Sequence, residues 1–89
     1  MLDKEYVSHM SRLIALIGKV SSVPIDADAI KPETHLSEDL ALDSISQVAL
    51  IALAEESFGI SLSEHPDEVA RIQTVGDAVN AIAAHMTRV

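Results

Sequence analysis

The 89-residue chain has no cysteine and no tryptophan, one tyrosine and one phenylalanine. Without cysteine there is no disulfide framework and no thiolate metal site. With so few aromatic residues, a core must be assembled from Leu, Ile, Val, Ala and Met. No apolar run approaches about 20 residues without a charge, so no membrane-spanning segment is expected. The opening MLDKEYVSHM lacks the apolar stretch behind a basic one that marks a secretory signal, and a cytoplasmic location is expected. Cations are scarce as well: six Lys and Arg stand against fourteen Asp and Glu, a net charge of −8. The imbalance is uneven, with three cations against two acids in residues 1–25 and three against twelve in residues 26–89. Such a field repels nucleic acid and anionic lipid and steers basic partner surfaces toward the chain. On charge alone, plain solubility is the better explanation of an acidic surface.

What is present fits one domain over residues 1–89, and a chain of this size buries roughly 60–65% of the surface its unfolded form exposes. That permits one compact core and no large enclosed active site. Val7, Met10, Ile14 and Ile17 recur at helical spacing, with Leu13 and Val20 widening the stripe. They predict a helix over about 3–20, capped by Asp3 and weakened near Gly18. A long loop follows, broken by Pro24 and Pro32 but punctuated by Val23, Ile25, Ile30, Leu36, Leu40 and Leu42. Regular apolar anchors predict a packed crossing loop with a helical turn near Ser37–Ala41. Asp43 suits a helix cap, and a helix over 44–58 is stopped by Gly59. A short helix fits 66–72, with Pro66 tolerated in its first turn. Thr74 followed by Asp77 is a variant capping box for a last helix over about 75–87, whose inner face is Val75, Ala78, Val79, Ile82 and Met86. No stretch alternates like a strand. The expected fold is all-α: a small four-helix bundle with a long first loop and a short third helix.

The second helix carries more apolar residues than one core face needs. Leu50, Ile51, Ala54 and Phe58 form one stripe; Ile45, Val48 and Ala52 form another. The surplus means either deep burial or an apolar surface kept for a partner. Acids at both ends, Glu38, Asp39 and Asp43 before and Glu55 and Glu56 after, give that surface a charged rim, as at a docking face. Ser44 falls in the first turn, where unpaired N–H groups and the positive end of the helix dipole favour a phosphate. The same position suits plain capping, and spacing does not choose between the two.

The surrounding residues resemble a known family. Leu40-Ala41-Leu42-Asp43-Ser44-Ile45, then Val48, Leu50, Glu55-Glu56 and Phe58-Gly59-Ile60, is similar to the acyl carrier pattern D-L-G-x-D-S-L followed by E-E-x-F-G-I. Ile72-Gln73-Thr74-Val75-Gly76-Asp77 resembles the family's I-x-T-V-G-D at its last helix. The likeness covers residues 36–82, and the first helix by pattern only. It implies 4′-phosphopantetheine, donated by coenzyme A, on Ser44, with Asp43 helping a phosphopantetheinyl transferase recognise the site. The arm's thiol then carries acyl groups as thioesters, so the chain is a carrier and not an enzyme, and the aliphatic bundle interior is a shelter for the acyl chain. The implied partners are that transferase and acyl-loading and acyl-processing enzymes with basic docking patches. They would meet a monomer at Ile45, Val48 and Ala52, edged by Glu55 and Glu56.

Departures from the pattern narrow the partner. Ala41 replaces the usual glycine and Ile45 the usual leucine, a change also seen in peptidyl and aryl carriers. Ser46 and Ala49 stand where fatty-acid carriers place acids, and Ala54 where a larger aliphatic is common, leaving extra core volume. These point to a specialised polyketide, lipopeptide or dedicated lipid pathway. The alternatives are a peptidyl, aryl or D-alanyl carrier loaded by an adenylating enzyme, and an unmodified helical adaptor.

Other constellations are poorer. Asp26-Ala27-Asp28 opens like a calcium loop, but Ser37 stands at its twelfth position and no glycine at its sixth. His9, His35, His65 and His85 show no HxxxH or HExxH spacing, so no metal site is expected. His35, near the serine's loop, suits a solvated or capping role. Ser44 has neither a G-x-S-x-G elbow nor a recognisable base, which argues against a serine hydrolase.

Overall fold

The computed structural model describes residues 4–86. Helix α1 spans Lys4–Val20, α2 Ser44–Phe58, α3 Pro66–Ala70 and α4 Val75–Met86, with a single 3-10 turn at Ala27–Ala29 in the long loop. The expected all-α architecture is found, with no strand among the described residues. The second helix matches its expected bounds. The third stops two residues early, because Arg71 and Ile72 donate back to Glu68 and Val69 in tight turns that end it. The proposed cap Asp3 and the last expected residue of α4, Thr87, lie outside the described residues.

Helices α1, α2 and α4 pack on one another around an aliphatic core of Leu13, Leu16, Ile17, Leu50, Ala54, Val75, Ala78, Val79 and Ile82, joined by Phe58. Each fully buried aliphatic side chain contributes about 1.5–3 kcal/mol. The buried face of α1 is rotated from the expected stripe. Leu13, Leu16 and Ile17 are inside, Tyr6 and Met10 pack against them, and Val7 is exposed. Tyr6 brings the large apolar surface on the turn where Val7 was expected to bury. Met86, at the outer end of α4, is likewise more exposed than its spacing suggested.

The long loop is tied down as its anchors predict. Ile30, Leu36, Leu40 and Leu42 are buried and Ile25 half-buried, while Val23 stays exposed. Polar groups close local turns: Asp26 accepts from the Asp28 amide, Thr34 Oγ1 from the Lys31 amide, and Asp39 from the His35 amide. Three backbone bonds then join the loop to the start of α4: Leu36 N–H to Gln73 C=O, Val75 N–H to Thr34 C=O and Gly76 N–H to Pro32 C=O. The approach is so close that a Cβ on Gly76 would lie 2.9 Å from the Pro32 carbonyl oxygen and 3.2 Å from the Tyr6 hydroxyl. Glycine is required there by space. The capping box also forms: Asp77 accepts from the Gln73 and Thr74 amides, and Thr74 Oγ1 accepts from the Asp77 amide.

Candidate functional site: a serine on the rim of an apolar cavity

The loop delivers Ser44 through a turn of opposite hand. Ala41 has φ 57°, the left-handed region, which lets the Leu42 amide return to the Leu36 carbonyl. The glycine usual in the acyl carrier pattern thus meets a conformational need, and here alanine meets it under strain. The chain then enters α2 at Asp43, whose extended backbone and side chain cap the helix. Its Oδ1 accepts from the Ser46 amide at 2.7 Å, and its carbonyl accepts from the Gln47 amide. That Ser46 amide, with the Ser46 hydroxyl next, holds the Asp43 carboxyl below the usual range. Gln47 secures the entry from the other side, its Nε2 donating to the Leu42 carbonyl at 2.8 Å. Ser44 is therefore the first residue of a firmly capped helix, and it is exposed.

Beside Ser44 opens an apolar cavity of about 290 Å³. Ser44, Gln47 and Val48 border it, Leu50, Ile51 and Ala54 continue it along α2, and Val69 and Ala70 of α3 supply part of its wall. Ile82 of α4 and Leu13 of α1 also reach it. Ala54, small where larger aliphatics are common in carriers, is buried in its lining. The part played by α3 in the wall has no local sequence signal.

The second apolar stripe of α2 faces outward. Ile45 is 81% exposed and Val48 67%, and Ala52 and Ala49 are exposed with them. The apolar excess of this helix is thus surface. Glu56 is exposed at the far end of α2, but Glu55 is occupied. Its Oε2 accepts from the Leu62 and Ser63 amides at 2.7 and 2.8 Å, and the Ser63 hydroxyl adds a third donor. These bonds, the Ser63 amide foremost, hold the Glu55 carboxyl low and lace the α2–α3 connection to α2. Gly59 ends the helix in the left-handed conformation, as expected, with the Ile60 amide reaching back to the Glu55 carbonyl.

The histidines, scattered in sequence, do not stay so. His35 is half-buried beside the Ser44 loop, its Nδ1 3.9 Å from Glu38. His65 and His85 come together around Glu68, with Glu68 and His85 17 residues apart, a meeting that no local spacing announces.

A frame of three helices with the short α3 beside it, holding an exposed serine at a capped helix start on the rim of an apolar cavity, defines a small carrier domain. A family model described as a phosphopantetheine attachment site (PP-binding) matches residues 11–82. The chain is 38% identical over 82 residues to an acyl carrier protein of Acidothermus cellulolyticus, covering 92% of this chain and 90% of that protein. It is 45% identical over 65 residues to an acyl carrier protein of a Picosynechococcus species, covering 72% of this chain and 76% of that protein. The chain belongs to the phosphopantetheine-binding acyl carrier protein family. Members are carriers that transferases and biosynthetic enzymes act upon, rather than catalysts, and their prosthetic group is covalently attached 4′-phosphopantetheine. No helix among the described residues is long and apolar enough to cross a membrane.

Proposed function

We propose that Ser44 bears the phosphopantetheine, and that the chain is a dedicated carrier for a polyketide, lipopeptide or specialised lipid pathway. The observation that carries the attachment is the exposed Ser44 hydroxyl beside Asp43, inside the family match and on the rim of the apolar cavity. The residues fit the group: the helix start tolerates a phosphodiester, and the adjoining cavity accepts an apolar chain. When attached, the group supplies a terminal thiol that holds an acyl chain as a thioester. Asp43 keeps α2 capped and stands next to the hydroxyl that a transferase must reach. The aliphatic lining from Leu50 to Ile82 excludes water from whatever occupies the cavity. Incubation with a broad-specificity phosphopantetheinyl transferase and coenzyme A tests the site. Intact mass rises by one phosphopantetheine, Ser44→Ala abolishes the gain, and Ser46→Ala keeps it. No gain in wild type means an unmodified adaptor.

Ile45, Val48 and Ala52 form the apolar centre of the partner face, and Asp43 and Glu56 its solvent-facing acids for basic docking patches. Glu55 serves that edge through the α2–α3 connection it holds. The pathway assignment rests on Ser46 and Ala49, where fatty-acid carriers carry charge. The double substitution Ser46→Glu with Ala49→Glu restores that charge. It is expected to raise kcat/KM with purified fatty-acid synthase enzymes by about tenfold, equivalent to about 1.4 kcal/mol. Full activity of the unsubstituted chain with those enzymes refutes the specialised assignment.

A further inference from the structure

Where α3 meets the last turn of α4, three side chains converge that the carrier reading does not use. Glu68 Oε1 and Oε2 lie 3.2 and 3.1 Å from His85 Nε2, and Oε2 lies 3.6 Å from His65 Nδ1. One ligand atom from each residue falls within 4.8 Å of the others, and the two imidazole rings are 4.7 Å apart, centre to centre. A hydrogen bond between His85 Nε2 and Glu68 ties α4 to α3, but that bond does not by itself account for His65. His65 stands at the cap position of α3, yet its side chain caps nothing. A single carboxylate faces two imidazoles, and the His85 side chain is only 8% exposed. Zinc bound to N and O at about 2.0–2.2 Å in a tetrahedron sets its ligand atoms roughly 3.3–3.6 Å apart. The two short edges here, 3.1 and 3.6 Å, bracket that spacing. The third closes with a small rotation of His65, whose side chain is 40% exposed and has room to turn.

We propose that His65, Glu68 and His85 bind one zinc(II) ion, with water in the fourth position. Two imidazoles and one carboxylate are a borderline-soft set that suits zinc, whereas magnesium and calcium favour all-oxygen ligation. The acidic chain concentrates cations around it. The consequence is mechanical. Helix α3 is five residues long, too short to persist without tertiary support, and carries Val69 and Ala70 into the cavity wall. An ion shared between α3 and α4 pins that wall to the frame.

The test uses the full chain carrying Ser44→Ala, which removes any prosthetic thiol that would compete for zinc and keeps the outcome independent of the attachment reading. Zinc(II) alone is titrated in competition with a chromophoric chelator. One equivalent is expected to bind with a dissociation constant in the micromolar range or tighter. Glu68→Gln and His65→Gln, both at half-exposed positions that leave the core untouched, each weaken binding at least tenfold. In amide NMR spectra the shifts concentrate at residues 65–72 and 82–86. Three results overturn the proposal: no saturable one-equivalent binding, an affinity unmoved by both substitutions, or shifts spread over the acidic surface.

Discussion

Substituting Ala41 by glycine should stabilise this protein, against the usual direction of an alanine-to-glycine change. At φ 57° an L-residue carries a steric cost of about 1–2 kcal/mol, from Cβ against the neighbouring carbonyl, that glycine does not. Glycine also widens the unfolded ensemble, which offsets about 0.4–1 kcal/mol of that relief. The Ala41 methyl is exposed, so little buried surface is lost. The net expectation is a gain of about 0.5–1 kcal/mol, or roughly 2–8 °C in Tm for a domain of this size. Gly59 provides the mirror experiment. Its φ is 68° and, among the described residues beyond its chain neighbours, no atom lies within 4 Å of where a Cβ would stand, so Gly59→Ala should lose a similar amount on conformational grounds alone. Both are read by thermal unfolding followed by circular dichroism, with denaturant melts checking two-state behaviour. If Ala41→Gly were neutral or destabilising while Gly59→Ala behaved as expected, the claim that the turn before Ser44 is held left-handed would be wrong.

Gly76→Ala should cost about 1–3 kcal/mol despite the better helix propensity of alanine, because the new methyl meets backbone, the Pro32 carbonyl at 2.9 Å; an unchanged Tm would contradict the close approach. Glu55→Gln should lower Tm at neutral pH. A carboxylate held low in the fold contributes stability fully present above its unfolded pKa, about 4.3, and lost as pH falls through the folded value. The gap between wild type and Glu55→Gln should therefore close as pH drops from about 4.5 toward 3, and a gap that persists undiminished at pH 3 would refute the capping role. The excess of acids over cations in residues 26–89 should make Tm rise with sodium chloride, and a Tm indifferent to salt between low and physiological ionic strength would rule out strong self-repulsion.

The parts of this structure legible in the sequence are those decided within a few residues. The Asp43 cap, the Gly59 stop and the Thr74–Asp77 box each depend on bonds spanning one turn, and all three form. The loop anchors Ile30, Leu36, Leu40 and Leu42 were legible because four aliphatics spaced through a polar stretch have nowhere else to go. Errors arise where a neighbour decides. Tyr6 takes the core-facing place expected of Val7, and tight turns at Arg71 and Ile72 cut α3 short. Spacing gave two stripes on α2 and left open which was surface; packing against α1 and α4 decides that. The cavity wall and the His65–Glu68–His85 cluster join residues from separate helices, and no local pattern encodes such a meeting. For the site itself, sequence singled out Asp43 and Ser44, while their relation to a cavity belongs to the fold.

The Arg12 guanidinium lies 4.2 Å over the Phe58 ring, and its Nη2 donates to the Ser57 carbonyl and hydroxyl. His9 packs nearly perpendicular to the same ring, 5.6 Å between centroids, so α1 grips the C-terminal end of α2 at several points. Helix α3, only five residues long, is tied to α4 through Glu68 and His65 against His85 rather than by a long packed face. Opening of the cavity and unfolding of the domain are therefore separate events with separate free energies. Amides of α3 should exchange with solvent through a local opening, long before those of Leu13 and Ile17 do so through global unfolding. A local opening of α3 would then widen the cavity, and substitutions in α3 could retune its capacity without loosening the rest of the bundle.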